Sequence, residues 1–263
     1  MAQSNFDRRR INGPEESFPP TFEDDEGEPS SLGWRLGQPR QGRAASDIRP
    51  IFLKAGLITQ ANGSAYIETQ RSKIACAVYG PRQSKSTVYS ENGRLNVEVK
   101  FAPFSCTRRK VPIRDAEDRS VAVQIHQALL PSIRLELLPK STIDIFITII
   151  ENDGIDGCIA AGSVAASTAL ADAGIEMLGL VIACSACTIG KEIWLDPNND
   201  EAQASSGTLI YASMPALGTV TNVSQNGRLT PDEAIRCMEA CQERCIDIHA
   251  VVAEALLENA QQS

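Results

Sequence analysis

Residues 141–190 contain neither lysine nor arginine, and within them two apolar runs flank a helix made mostly of small side chains. IDIFITII (143–150) is rich in β-branched residues, as a core strand is, and LVIACSACTIG (180–190) is a second buried-strand run. Between them, GCIAAGSVAASTALADA (157–173) has the length and propensity of a helix, with Gly174 as its C-cap candidate. Alanine, glycine and serine let such a helix approach a sheet closely. The block belongs to the interior.

The flanking segments supply what packs on it. SAYIETQ (64–70) alternates as a half-buried strand does, KIACAVYG (73–80) reads as fully buried, and LNVEVKFAPF (95–104) alternates again. A helix beginning near Asp118 places Val121, Ile125, Ala128 and Leu129 on one face and ends at Pro131. Two more strands follow at 207–215 and 218–225. Thr230, Pro231 and Glu233 then form a capping box with proline in the first turn. The last helix buries Met238, Cys241, Cys245, Ile248 or His249, Val252 and Leu256. Strand clusters each followed by a helix make an α+β fold of two similar halves, 48–135 and 136–258, with helices packed on the sheets. Residues 1–47, rich in proline, glycine and acid, read as an extended or disordered arm, and 259–263 as a tail.

With 263 residues, 43% of them hydrophobic, the chain can bury a sizeable core without disulfides. Its eight cysteines sit mostly inside apolar runs and read as reduced, buried thiols. Cys237, Cys241 and Cys245 form one helical stripe. Cys184 and Cys187 make the single Cys-x-x-Cys pair, which leaves a redox or metal module as an alternative to small buried hydrophobes. His126 and His249 fall on helices. There is no glycine-rich phosphate loop, zincin pattern or nucleophile elbow, and no apolar run of the roughly 20 residues that crosses a bilayer. Membrane and secretory readings are disfavoured.

The net charge of −8 argues against a free-standing nucleic-acid binder, but the charge is uneven. Residues 82–119 carry nine basic and five acidic side chains, whereas 120–263 carry six and eighteen. The basic segment is either a solvated loop or a phosphate-contacting surface, and composition leaves both open.

Several segments in fixed order resemble the RNase PH family of phosphate-dependent exoribonucleases: IRPIFLKAGLITQANGSAYIE (48–68), KIACAVYGPR (73–82), KFAPFS (100–105), DRSVAVQIHQAL (118–129), ALADAGIEM (169–177) and LTPDEAIRCMEAC (229–241). RRRINGPEESFPP (8–20) looks like the opening of a eukaryotic exosome ring subunit. The resemblance implies a duplicated β-rich, helix-backed fold in a hetero-hexameric ring of paired RNase PH-like subunits. It further implies RNA-binding cap proteins, RNA in a central channel, and a place in the nucleus, nucleolus and cytoplasm. It implies neither DNA nor a membrane as partner.

Phosphorolysis needs cationic donors for phosphate and carboxylates to hold a metal or protonate the leaving group. Active members carry a Gly-Thr-Arg element after the core strand, where this chain reads ENDGIDGCIAAG (151–162). They also carry two aspartates six apart, where this chain has Ala202 and Thr208, and no acid lies between Glu201 and Asp232. The expected subunit is therefore non-catalytic, with no cofactor and no metal site. Arg108, Arg109, Lys110 and Arg119 are its candidates for RNA contact. For Arg114 and Arg119, pairing with acids is the stronger reading. The alternative is an active phosphate-dependent 3′-exoribonuclease using Asp153, Asp156 or Asp200.

Overall fold

The computed structural model describes residues 40, 42–84, 89–106, 109–110, 116–190 and 192–262. Along the first part run β1 (Ile51–Ala55), β2 (Gly63–Thr69), β3 (Ser72–Gln83), β4 (Arg94–Phe101), α1 (Ala116–Leu129), β5 (Ser141–Glu151) and α2 (Ile155–Asp172). Then follow β6 (Ile182–Ile189), β7 (Glu192–Leu195), α3 (Asn199–Ala204), β8 (Gly207–Met214), β9 (Thr219–Gly227) and α4 (Pro231–Gln262). The first sheet has the order β1-β2-β3-β5-β4, antiparallel except for β4 beside β5. The second has the order β7-β6-β8-β9 and is antiparallel throughout.

β5 shows why the central block is interior. Ile143, Ile145, Ile147 and Ile149 are each at most 1% exposed, while Asp144, Phe146 and Thr148 point the other way. Each such isoleucine contributes about 1.5–3 kcal/mol of burial. Across from them lies α2, buried from Gly157 to Leu170 apart from Ala161, and it packs on β2 and β3 on one side and β6 and β8 on the other. Its small side chains permit that double contact. At its C-terminal end the approach is so close that a Cβ on Gly63 would lie 2.3 Å from the Ala169 carbonyl oxygen. Gly174 takes the left-handed conformation (φ +70°) that ends the helix.

α1 lies on β4 and reaches β9, while α4 covers β6, β8 and β1. The stripe of Cys237, Cys241 and Cys245 is fully buried, and Ile248 rather than His249 takes the next buried position. The capping box forms at Thr230 and Glu233. Asn259 pins the far end of α4 by donating to Asp172 Oδ1 at 2.7 Å, while Asp172 Oδ2 accepts from Ser64 N–H at 2.9 Å. No helix among the described residues is long and apolar enough to cross a membrane.

Two organisational expectations change. The seam at 135/136 moves, because β5 pairs with β3 and β4 and so belongs to the first sheet. The division between the sheets falls after α2. The arm reading, drawn to residue 47, fails for its last part: Arg40 and Arg43 are tied into the second half, while residues 1–39 and 41 of the arm lie outside the described residues.

Candidate functional site

Where β5 turns into α2, the chain meets the loop that leaves β4. Asn152 N–H donates to the Ser105 carbonyl at 2.9 Å, and Asn152 Nδ2 donates to Cys106 Sγ at 3.5 Å. Asn152 Oδ1 accepts from Gly154 N–H at 2.8 Å and from Cys158 Sγ at 3.0 Å, so one side chain organises the turn, the first turn of α2 and the loop. Burial pushes the Cys158 thiol up to about 12, against the opposing charges of Arg49 and Lys110. It is an inert thiol. Ser105 and Cys106, which open the basic loop, and the ENDGIDG turn, set apart in sequence, are thus neighbours.

The loop is held by Lys110. Its Nζ lies 2.6 Å from Glu117 Oε2 and 3.7 Å from the centroid of the Phe101 ring, and its backbone N–H donates to the Pro103 carbonyl. Arg109, beside it, is half-buried and makes no hydrogen bond or ion pair among the described residues. Arg119 is exposed on α1, likewise without a partner among the described residues. Arg108 and Arg114 lie outside the described residues. Of the four candidates, the structure therefore brings Arg109 and Lys110 to the turn, with Lys110 already engaged.

Sequence reasoning missed the cations that sit deepest in the site. Arg49, its side chain 2% exposed, reaches over the first turn of α2, where a Cβ on Gly157 would meet its Nη2 at 3.3 Å. It donates from Nη1 to Asp153 Oδ2 at 2.6 Å, and from Nε and Nη2 to the two oxygens of Asp196 at 2.7 and 2.6 Å. Arg43 reaches Asp196 at 3.3 Å and Glu201 at 3.4 Å. Arg40 donates to both oxygens of Glu201 at 3.0 Å and to the carbonyls of Leu195 and Asp196, stacked on Trp194. The one signal in sequence for Glu201 is the Asn-x-x-Glu spacing that closes as a capping box at the start of α3, which the sequence reading passed over.

Three arginines thus face three carboxylates. Burial opposes ionisation of Asp196, but Arg49 and Arg43 outweigh it and hold the carboxyl below its ordinary range. Burial raises Asp153 despite Arg49, and it raises Asp156 against the opposing influence of the Thr208 hydroxyl. The first turn of α2 thus comes beside β8 at the position where the resemblance expects an aspartate on the strand. No group of three or more histidine, cysteine or acidic side chains suited to a metal occurs among the described residues.

The Cys184–Cys187 pair loses its basis. Three residues apart on β6, the two side chains lie on opposite faces. Cys184 faces α4, where it meets Cys241, while Cys187 pairs with Thr208 on the face toward α2. All eight cysteines are free.

Comparison with known proteins gives two family matches: "3′ exoribonuclease family, domain 1" over residues 47–176 and "3′ exoribonuclease family, domain 2" over 179–244. The chain is 37% identical over 257 residues to the exosome complex component mtr3 of Schizosaccharomyces pombe, covering 95% of this chain and 96% of that one. It is 39% identical over 217 residues to the exosome complex component Rrp41 of Cenarchaeum symbiosum, covering 82% and 88%. Among solved structures, rice (Oryza sativa) Rrp46 superposes with a TM-score of 0.70 at 18% identity, over 82% of this chain and 96% of that one. A chain of the Archaeoglobus fulgidus exosome, solved with RNA bound to the active site, superposes at 0.68 and 16% identity, over 79% and 89%.

Proposed function

This chain belongs to the RNase PH family of 3′ exoribonucleases, and on that premise we propose that it is a non-catalytic subunit of an exosome core ring. In this reading it supports 3′-to-5′ processing and decay of RNA by the assembled complex, in nucleus, nucleolus and cytoplasm. Its partners are RNase PH-like ring subunits, RNA-binding cap proteins and RNA in the central channel. The observation that carries the inactivity is at the β5–α2 turn. Positions 202 and 208 hold alanine and threonine, and Asp153, Asp196 and Glu201 are each already bound to a guanidinium. Of the acids that the alternative reading names, only Asp156, whose carboxyl burial raises, and the exposed Asp200 are without a guanidinium partner among the described residues.

Arg109, with Arg108, Lys110 and Arg119, is the proposed RNA-facing set. Passage of RNA of any sequence requires cations along a backbone rather than base readout, and Arg109 and Arg119 have guanidinium groups uncommitted among the described residues.

The test is phosphorolysis. The purified chain, alone and assembled with its ring partners, is incubated with an RNA oligonucleotide and inorganic phosphate. No nucleoside diphosphate is expected from this subunit. Phosphate-dependent release that disappears in Asp156→Asn or Arg109→Ala of this chain would establish the active exoribonuclease instead.

A further inference from the structure

Residues 157–170 of α2 are buried with the exception of Ala161, and the space in front of that alanine has a cause in the second sheet. β7 pairs with residues 186–189 of β6, and no described strand continues that ladder beside residues 183–185. Arg49 and Asp196 stand at the gap instead, and Asp196 N–H donates to the Ser185 carbonyl at 2.8 Å. The small side chains of α2 at Gly157, Ala160 and Ala161 do not fill the remaining space. A cavity of about 40 Å³ is left, lined by them, by Arg49, Ser185 and Asp196, and by aliphatic side chains such as Ile51 and Ile67.

Two polar atoms on this wall are short of partners. Ser185 is 2% exposed, and its hydroxyl has no hydrogen-bond partner among the described residues. It lies on the face of β6 turned toward α2, as Cys187 does two residues on. A buried hydroxyl left unpaired is the rare case in a folded chain. Asp196 Oδ2 accepts from the Arg49 backbone N–H at 3.0 Å, from Arg49 Nε at 2.7 Å and from Arg43 at 3.3 Å. Its Oδ1 accepts from Arg49 Nη2 alone among the described residues, at 2.6 Å. A carboxylate oxygen has two lone pairs, so Oδ1 keeps one.

We propose that this cavity is a water site, in which a buried water molecule bonds the Ser185 hydroxyl and donates to Asp196 Oδ1. Size and charge select the ligand. A cavity needs about 10–15 Å³ to hold a water, and one that takes a benzene ring measures about 150 Å³. The volume of about 40 Å³ therefore admits water and excludes an organic ligand. An anion would meet Asp196 and a cation would meet Arg49, so the ligand is neutral. A wholly aliphatic cavity stays dry, but this one offers an unpaired hydroxyl and a spare lone pair, the partners a buried water needs. The water ties β6 to the buried ionic centre at the oxygen of Asp196 that Arg43 does not reach. Every atom that holds it belongs to this chain, so the site is independent of the ring reading.

Ser185→Ala in the full chain tests this by the sign of its effect. Deleting a buried hydroxyl that has no partner relieves a penalty and raises the melting midpoint. Deleting one that is bonded to water removes a hydrogen bond and lowers it. A fall of about 2–6 °C is expected. A crystal structure of the unaltered chain reads the site directly, with a water peak expected within about 3.2 Å of both Ser185 Oγ and Asp196 Oδ1. A midpoint that holds or rises in Ser185→Ala overturns the water site. So does a cavity without density, or a peak that bonds neither group.

Discussion

Arg40, Arg43 and Arg49 lie within ten residues of one another and are almost wholly withdrawn from water, whereas Arg109 and Arg119 come from the segment that is conspicuously basic in sequence and stay uncommitted. Arg40 and Arg43 stand in a stretch that reads as an acidic arm and Arg49 just beyond it, yet the three form a buried ionic centre. The second stands in a +4 segment and, apart from Lys110, is bound by nothing described. Local charge density thus misplaces both. What separates them is desolvation: a guanidinium taken from water must find carboxylates and carbonyls, and Asp153, Asp196 and Glu201 supply them. Equal numbers of each sign leave no free cation there, while the loop keeps its charge available for an outside partner.

The contrast is sharpest in stability. Asp196→Ala leaves Arg49 buried with half its partners gone, so a loss of about 3–5 kcal/mol is expected in chemical denaturation. A loss under about 1 kcal/mol would mean the network is incidental. The pH dependence has a definite sign. Asp196, held below its ordinary value, contributes stability that is fully present above the unfolded carboxyl value of about 3.9 and is lost as pH falls toward its lower folded value. Asp153 and Asp156 are raised, so their charged forms cost stability at neutral pH, and that cost is relieved as pH falls through their folded values. Wild type should therefore hold or gain slightly just above pH 4 and weaken below it. In Asp196→Asn the decline below pH 4 should be shallower.

Much of this arrangement was legible piecewise. The alternating isoleucines of β5, the small-residue run of α2 and the Thr230–Glu233 box each encode their element within a few residues, and all three form. β1, β7 and α3 escaped because four to six residues carry too little periodicity to stand out beside Pro50 or the 196–198 turn. The seam escaped because β5 finds its partners at β3 and β4, and strand order is a long-range choice. Arg40 and Glu201, 161 residues apart, meet for the same reason. Cys184 and Cys187 show the reverse error, a spacing that reads as a motif and that a strand's two-residue period pulls apart. The Gly63 contact with α2 was invisible for another reason: a glycine in a strand signals close approach without naming what approaches.

Between the two extremes lies Asp156 beside the Thr208 hydroxyl, a single polar neighbour in place of a network. Thr208 is 7% exposed, and Thr208→Val keeps its shape while removing the hydroxyl that favours the charged form of Asp156. A cost of about 1–2 kcal/mol is expected, smaller than for Asp196 and larger than for any loop cation. If the variant is neutral, water replaces the hydroxyl, and this end of α2 is wetter than its burial suggests.

The loop cations close the series with the smallest effects on the fold. Lys110→Ala removes a partly exposed ion pair and a cation–ring contact, together worth about 1 kcal/mol or less. Arg109→Ala removes no bond to any described residue, and its melting curve should coincide with wild type. Its consequence is expected elsewhere, in photo-crosslinking of RNA to the assembled ring. A cation that tracks a phosphate backbone loses contact uniformly across sequences, so crosslinks to this chain should fall for a mixed-sequence RNA and a homopolymer alike, and the salt dependence of binding should become shallower by about one counterion. Lys110→Ala, whose ammonium is already engaged, should reduce crosslinking less. If Lys110→Ala abolishes crosslinks while Arg109→Ala leaves them, the uncommitted arginine is not the RNA contact, and the distinction between consumed and available cations fails at the site it was meant to explain.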